Sequence, residues 1–340
     1  MRTPRVPAGE LTDHSKREAT VKSRSIAMAA ATIAVITAGG TTPSVAAEVK
    51  LKAASFLPGR ASFGAPFYRW VKEVNKQCAG KVNITVVGPS AIKAFEQPNA
   101  LKQGVIDMLS GPAAYYKGIT VAPETAVLAK VGPVEQRKNG AWAYLNRVHN
   151  EKMNAQYLTH VGFGVHFFVY TRKPGKNGRF DGFRMRTAPI YDTFFRGLGA
   201  TTTKMPPPAV YTALERGTVD GYGWPLWGVT DFGWHKYTKF RYGPGFFNVV
   251  VNILVNLDKW KAMSNDQRAC LNNMALWLEK EFPKWRAAED AKATAAQNKA
   301  NIKYIDLGPA HAKKAEELYW AELTKANPKD VNALRKLLTK

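Results

Sequence analysis

From Glu48 onward the hydrophobic and polar positions fall into short alternating runs separated by helical ones. In EVKLKAASF, Val49, Leu51 and Ala53 share one side of an extended chain, the pattern of a half-buried strand. After the turn LPGRASFG, the residues Phe67, Trp70, Val71 and Val74 recur at helical spacing and Gly80 stops them. KVNITVVG reads as a second strand. FEQPNALKQGVIDMLSG reads as a helix entered near Pro98 that leads into a strand over residues 105–109. This βαβαβ order predicts a mostly parallel sheet covered by helices.

A second unit of the same kind follows. HVGFGVHFFVYTR predicts one strand, with Val165, Phe167 and Val169 on the face assigned to the core. His166, Phe168 and Tyr170 fall on the other face, which is free to line something. FRMR is a short strand carrying Arg184 and Arg186, and Pro189 opens a helix that ends at Gly199. PPPAVYTALERG repeats that device up to Gly217, and TVDG returns to the sheet as a strand.

VVVNILVNLDKW is a long β-type run that crosses back to the first unit. Ser264 and Gln267 form a capping box at the head of a long helix with the stripe Leu271, Ala275, Leu278, Phe282 and Trp285. Pro283 either kinks this helix or divides it in two. From Pro309 the chain is rich in Lys, Ala, Glu and Leu and reads as one or two peripheral helices. The expected fold is α/β, a hinged pair of domains. Domain I takes residues 48–164 and 249–290, and domain II takes residues 165–248 and 291–340.

Residues 1–47 read differently. Lys22 and Arg24 precede the small, apolar run SIAMAAATIAVITA, and TTPSVAA supplies Val45 and Ala47 for cleavage, the layout of a secretory signal peptide. The apolar run is shorter than the ~20 residues of a membrane span. A soluble, exported mature protein starting near Glu48 is therefore expected, without stable insertion in the membrane.

Of the 49 Lys/Arg and 26 Asp/Glu, six and three fall in that segment, so the remainder is still strongly basic. A basic surface suits small anions and would also suit nucleic acid. The basic residues are dispersed, however, and no nucleic-acid motif accompanies them. Cys78 and Cys270 are too few for a disulfide framework and lack metal-ligand spacing. One bridge could form in an oxidising compartment, but both cysteines sit in amphipathic helical patterns, and two separate thiols are expected.

Positive evidence for catalysis is missing. The chain has no GxSxG elbow, HExxH, CxxC, Walker loop or GxGxxG after a strand, and its six histidines are scattered. It does offer an aromatic segment, YGWPLWGVTDFGWHKYTKFRYGPGFF, whose prolines and glycines hold the backbone out of regular structure. Most of these rings suit packing over a helix. Pocket walls are also built this way, and Tyr222 and Trp224 are the first candidates.

The series GFRMR, GLGA, VYTALERG and TVDG, in that order and spacing, resembles the substrate-binding proteins of TRAP (tripartite ATP-independent periplasmic) transporters, the C4-dicarboxylate-binding protein family. QGVIDM and VNLDKWKAMSNDQR also agree, and the resemblance runs from Glu48 to the C-terminal helix. It implies a two-domain periplasmic-binding-protein fold, type II-like, with a ligand cleft between domains and a long helix spanning both. Alternation places residues 184 and 186 on one face and cannot choose between them. The resemblance makes the terminal Arg of GFRMR the carboxylate clamp, so Arg186 takes that role and Arg184 a surface one. A guanidinium suits it, being always charged and forked to match both carboxylate oxygens.

The chain departs from the sialic acid type of that family. A second ligand-facing Arg of that type falls at His166, its Asn before the conserved Pro is Trp224, and the acidic residue before that is Gly223. A pocket less polar than that of a sugar-acid receptor is implied, suited to a small or aromatic monocarboxylate such as a 2-keto or aryl acid. Keto-acid-binding members place Glu before the same Trp and use a metal ion. The missing Glu at Gly223 counts against one, and no metal or other cofactor is expected. By family position Phe56, Glu96 and Tyr115 join the site from domain I, and Tyr222 and Phe168 from domain II.

The implied function is that of a periplasmic receptor that captures an organic acid and delivers it to membrane permease subunits, with no nucleic-acid partner. An exported enzyme acting on an acidic substrate, the binding protein of an ABC or tricarboxylate importer, and a sensory receptor are the alternatives. The LGA to VDG pattern argues against the other importers.

Overall fold

The computed structural model describes residues 47–340, and the expected export segment lies outside the described residues except for Ala47. Eleven strands, in chain order β1 (Val49–Ser55), β2 (Val82–Val87), β3 (Met108–Pro112), β4 (Ala155–Val161), β5 (His166–Thr171), β6 (Arg184–Thr187), β7 (Thr201–Lys204), β8 (Gly221–Pro225), β9 (Phe240–Asn248), β10 (Val251–Asn256) and β11 (Lys303–Asp306), form two sheets among the described residues. The first has the order β2-β1-β3-β10-β4 and the second β11-β9-β5-β8-β6-β7.

The expected parallel β1-β2 and β1-β3 pairs are present. Both sheets are nevertheless mixed, because strands arriving from the other sheet insert antiparallel. Strand β10 runs antiparallel to β3 and β4, and β5 runs antiparallel to β8 and β9. All six β10 positions are buried, as a central strand covered on both faces requires.

Two crossings join the sheets side by side. HVGFGVHFFVYTR is not one strand but the end of β4 and the whole of β5, separated by Gly162 to Val165. VVVNILVN begins in the link from β9 to β10. The links bond to each other: the Val249 amide donates to Val165 O at 2.8 Å and the Gly164 amide to Asn248 Oδ1 at 3.0 Å. Gly162, at φ +106°, is where they come closest, and a Cβ there would meet Val249 O at 2.5 Å.

Other boundaries shift as well. β3 starts at Met108 rather than at residue 105, the helix after Pro189 starts at Asp192, and the strand read in TVDG begins only at its glycine, Gly221. Hydrophobic pattern marks elements better than their ends.

The capping box at Ser264 is formed and opens a single helix, Asn265–Lys299, that continues through Pro283 for about 50 Å at 1.5 Å per residue. It ties to both sheets. Near its start Trp70 Nε1 donates to Met274 O at 2.9 Å, and buried Glu279 accepts from Arg137 Nη2 at 2.8 Å and from Thr159 Oγ1 at 2.6 Å. Near its end Gln297 Nε2 donates to Leu226 O at 2.7 Å, beside the second sheet.

The expected pair of free thiols is corrected. Cys78, which caps the helix Ala65–Gln77, and Cys270, on the first turns of the spanning helix, form a disulfide with Cα atoms 6.0 Å apart. Helical periodicity puts each cysteine in an amphipathic pattern but carries no information that the two helices meet there.

Candidate functional site

The carboxyl ends of β1 and β3 point toward those of β6 and β8, and a cavity lies between them. In open α/β sheets that is where ligands bind, because loops there are free to vary while the strands hold them in place. From the first-sheet side come Phe56, just after β1, Tyr115, just after β3, and Glu124. The second-sheet side supplies Phe167, Arg186, Tyr191 and Trp224. The wall is mostly apolar and aromatic, with a few polar groups.

Arg186 is 1 % exposed. Its Nε and Nη2 donate to Met205 O at 3.0 and 2.8 Å, and its Nη1 donates to Tyr191 Oη at 2.5 Å and to Gly223 O at 3.2 Å. These four bonds leave one of the five guanidinium N–H groups, on Nη2, uncommitted. Among the described residues Arg186 forms no ion pair; all its acceptors are neutral. A permanently charged group buried without a counterion is costly, which makes it an attractor for an anion. Trp224 lies under it, with the guanidinium carbon 5.7 Å from the ring centre.

Tyr191 donates to Gly223 O at 2.7 Å while accepting from Arg186, and so fixes the guanidinium in place. Gly223 permits this. A Cβ there would lie 2.6 Å from the Tyr191 ring, so the position where an acidic residue was missed is occupied by a neighbouring aromatic instead. Arg184, two residues earlier on the same strand, is largely exposed and pairs with Asp220.

Of the residues singled out from sequence, the structure brings Arg186, Trp224, Phe56 and Tyr115 to this cavity. The other four lie elsewhere. His166 lines a separate hollow with Lys130, Asn248 and Glu316, and burial holds its imidazole pKa below the usual value. Phe168 packs under Arg241, and Tyr222 is fully buried, stacked on Tyr170 and bonded to Thr238. Glu96 is exposed beside Lys93 and lines a second groove with Pro206 and Phe232. The reason for His166 and Phe168 is strand parity: on β5 it is Phe167 that turns to the cavity, so the face assigned to the core is the one that meets the site.

Sequence reasoning did not select Phe63, Glu124, Phe167, Ile190 or Tyr191, which also line the cavity. Tyr191 and Ile190 stand beside the GFRMR run and were within reach of a search around it. Glu124 sits on a 3₁₀ turn, Ala122–Leu128, in a stretch without period, where no pattern signals it. Burial pushes its carboxyl pKa up to about 7, against a hydrogen bond from Tyr319 and the charge of Lys117. Burial also raises the Tyr115 phenol above its usual pKa, against the nearby Arg186 charge.

Residues 59–327 match the family described as DctP, bacterial extracellular solute-binding protein, family 7. A solute-binding protein of Verminephrobacter eiseniae (strain EF01-2) is 28% identical over 183 residues, 48% of this chain and 51% of that protein, so the match spans about half the length of that curated relative.

Among solved structures, a marine-metagenome TRAP solute-binding protein specific for aromatic acid ligands, in complex with 3-hydroxybenzoate, superposes with a TM-score of 0.73 at 23% identity, over 86% of this chain and 97% of that one. A TRAP solute-binding protein of Bordetella bronchiseptica RB50, with calcium and picolinate at an occupied site, gives 0.75 at 20%, over 86% and 92%. A Bordetella pertussis extracytoplasmic solute receptor binding pyroglutamic acid gives 0.73 at 16%, over 85% and 99%. At these identities the likeness establishes the two-domain fold.

Proposed function

Because the chain belongs to the DctP family of bacterial extracellular solute-binding proteins, we propose that it is the exported receptor of a TRAP-type importer and captures a small or aromatic monocarboxylate between its two sheets. The observation that carries this reading is the buried guanidinium of Arg186, without a counterion among the described residues, in a largely apolar cavity. A ligand carboxylate would take the uncommitted Nη2 N–H and displace the longest of the four bonds, that from Nη1 to Gly223 O. The aromatic rings of Phe56, Phe167 and Trp224 would cover the rest of the molecule. Sugar acids need more hydrogen bonds than this wall offers.

Capture requires contacts to both halves, since a ligand shifts an open-closed equilibrium only through its preference for one state. The two crossings and the spanning helix are the natural hinge, which favours the division into residues 48–164 with 249–290 and residues 165–248 with 291–340. Outside the cavity the two halves are tied by the exposed Ser62 amide donating to Asp231 Oδ2 at 2.6 Å, next in sequence to Phe63, a cavity residue that stacks on Trp227 at 5.0 Å. Asp231→Ala is expected to weaken ligand affinity about three- to tenfold, as loss of one exposed charge-assisted bond would. Calorimetric titration measures it, and unchanged affinity would remove this contact from the closing device.

A disulfide suits an oxidising, extracytoplasmic compartment. No helix among the described residues is long and apolar enough to cross a membrane. Delivery to a membrane permease is the partner role that goes with the family.

A thermal-shift screen of the chain from Glu48 tests the reading. Aryl and 2-keto monocarboxylates at about 100 times Kd should stabilise it by about 2.7 kcal/mol, a rise of roughly 5 to 10 °C. Neutral sugars and peptides should leave it unmoved. Stabilisation by a neutral sugar and by no carboxylate would overturn the function.

A further inference from the structure

Glu124 is fully buried on the first-sheet side of the cavity that Arg186 lines from the second-sheet side. Its Oε2 accepts from the hydroxyl of Tyr319, whereas its Oε1, also buried, has no hydrogen-bond partner among the described residues. An orphaned carboxyl oxygen inside a protein is expensive, and a native fold keeps one when something else comes to satisfy it.

The groups around Glu124 do not supply that partner. The helix Pro309–Ala326 presents Tyr319 and Glu322, and Glu322 is paired with Lys117, which follows the turn after β3. That turn also presents Tyr116, bonded to Asn252 and to His149 of the helix Ala141–Met153. Strand β9 adds Phe247, and the helix Pro328–Leu338 buries Val331, Leu334 and Leu338 in the same core.

We propose that Glu124 is a second ligand-contacting group: its free oxygen, carrying a proton, hydrogen-bonds a hydroxyl on a hydroxylated monocarboxylate whose carboxylate sits on Arg186, so that each bound ligand is held together with one proton. This rests on the reading of the cavity as the ligand site. The charge count favours it. The ligand carboxylate neutralises Arg186, and an ionised Glu124 would then add a net negative charge to an apolar wall, whereas the protonated acid adds none.

Burial already lifts the carboxyl to about 7, so the empty protein loses this proton just above neutrality. Binding above that pH must then take a proton up, and affinity falls by as much as about tenfold per pH unit. His149, lowered to about 4 by burial, does not titrate in that range.

The test is calorimetric titration of the chain from Glu48 with 3-hydroxybenzoate and with benzoate, between pH 6 and 8.5, for wild type, Glu124→Gln and Glu124→Leu. Wild type is expected to bind the hydroxylated probe about tenfold or more tightly than benzoate, with affinity for it falling above about pH 7. Glu124→Gln, still able to donate, should keep the preference and lose the pH dependence. Glu124→Leu should lose the preference while still binding benzoate. Equal affinity of wild type for the two acids, or a pH dependence that survives in Glu124→Gln, would overturn this proposal and leave the receptor reading standing. Binding of neither acid by any variant would overturn this proposal, and the receptor reading falls with it only if no carboxylate of the thermal-shift screen stabilises the chain.

Discussion

Arg186→Met is expected to cut carboxylate affinity by roughly 30-fold or more, the ~2 to 5 kcal/mol that removing one partner of a desolvated charge pair costs, while leaving the empty protein about as stable as wild type. The two halves of this expectation come from one fact. Among the described residues the guanidinium bonds to the carbonyls of Met205 and Gly223 and to the Tyr191 hydroxyl, and it is buried and forms no ion pair.

Those bonds offset part of the desolvation penalty and no more, so little net stability is lost with the charge. Tyr191 keeps its own bond to Gly223, and methionine fills the space of the arginine stem. A structural ion pair would behave in the opposite way, losing several kcal/mol of stability with no effect on a ligand. Titration and melting of the same preparation separate the two. Arg184→Ala is the control: its exposed pair with Asp220 is worth at most about 1 kcal/mol, and ligand affinity should not change.

Opening the disulfide is expected to be the largest stability effect in the molecule. Cys78 and Cys270 are 192 residues apart in sequence, so the bridge closes a very long loop in the unfolded chain. By chain entropy a loop of that length gives about 5 kcal/mol. For a chain of this size that is a fall in melting temperature on the order of 10 °C. The bridge pins the start of the spanning helix to the helix Ala65–Gln77, both on the first sheet, and touches neither the crossings nor the cavity. A Cys78→Ser, Cys270→Ser double variant should therefore melt earlier than wild type but bind ligand with unchanged affinity. Calorimetric scans with and without reductant check it; equal melting temperatures would remove the stabilising role.

How much of this was legible in the chain depends on which physical signal each feature leaves. Amphipathic period and caps marked most elements, and the box at Ser264 and Gln267 located the head of the spanning helix to the residue, because capping is a local interaction between neighbours in sequence. The separation of Arg186 from Arg184 left no mark in periodicity. The two differ because one ends at the cavity and the other on the solvent edge, and it was the spacing to GLGA and the likeness to a family that told them apart.

The reversal at His166 and Phe167 has a different cause. A strand between a core and an apolar cavity is apolar on both faces, so alternation finds two faces without saying which meets the cavity. The disulfide and Glu124 were hidden for a third reason. Both depend on contacts between segments distant in sequence, Cys78 with Cys270 and Glu124 with Tyr319, and neither member of either pair carries a local signature of the other.

The central question is where a ligand carboxylate sits. A crystal structure of the protein with a bound aryl monocarboxylate shows this directly. The expected result places the carboxylate oxygens within hydrogen-bond distance of Arg186 Nη1 and Nη2, with the ring among Phe56, Phe167 and Trp224 and the Nη1 bond to Gly223 broken. A ligand held elsewhere, with Arg186 still bonded to Met205, Tyr191 and Gly223, would contradict it.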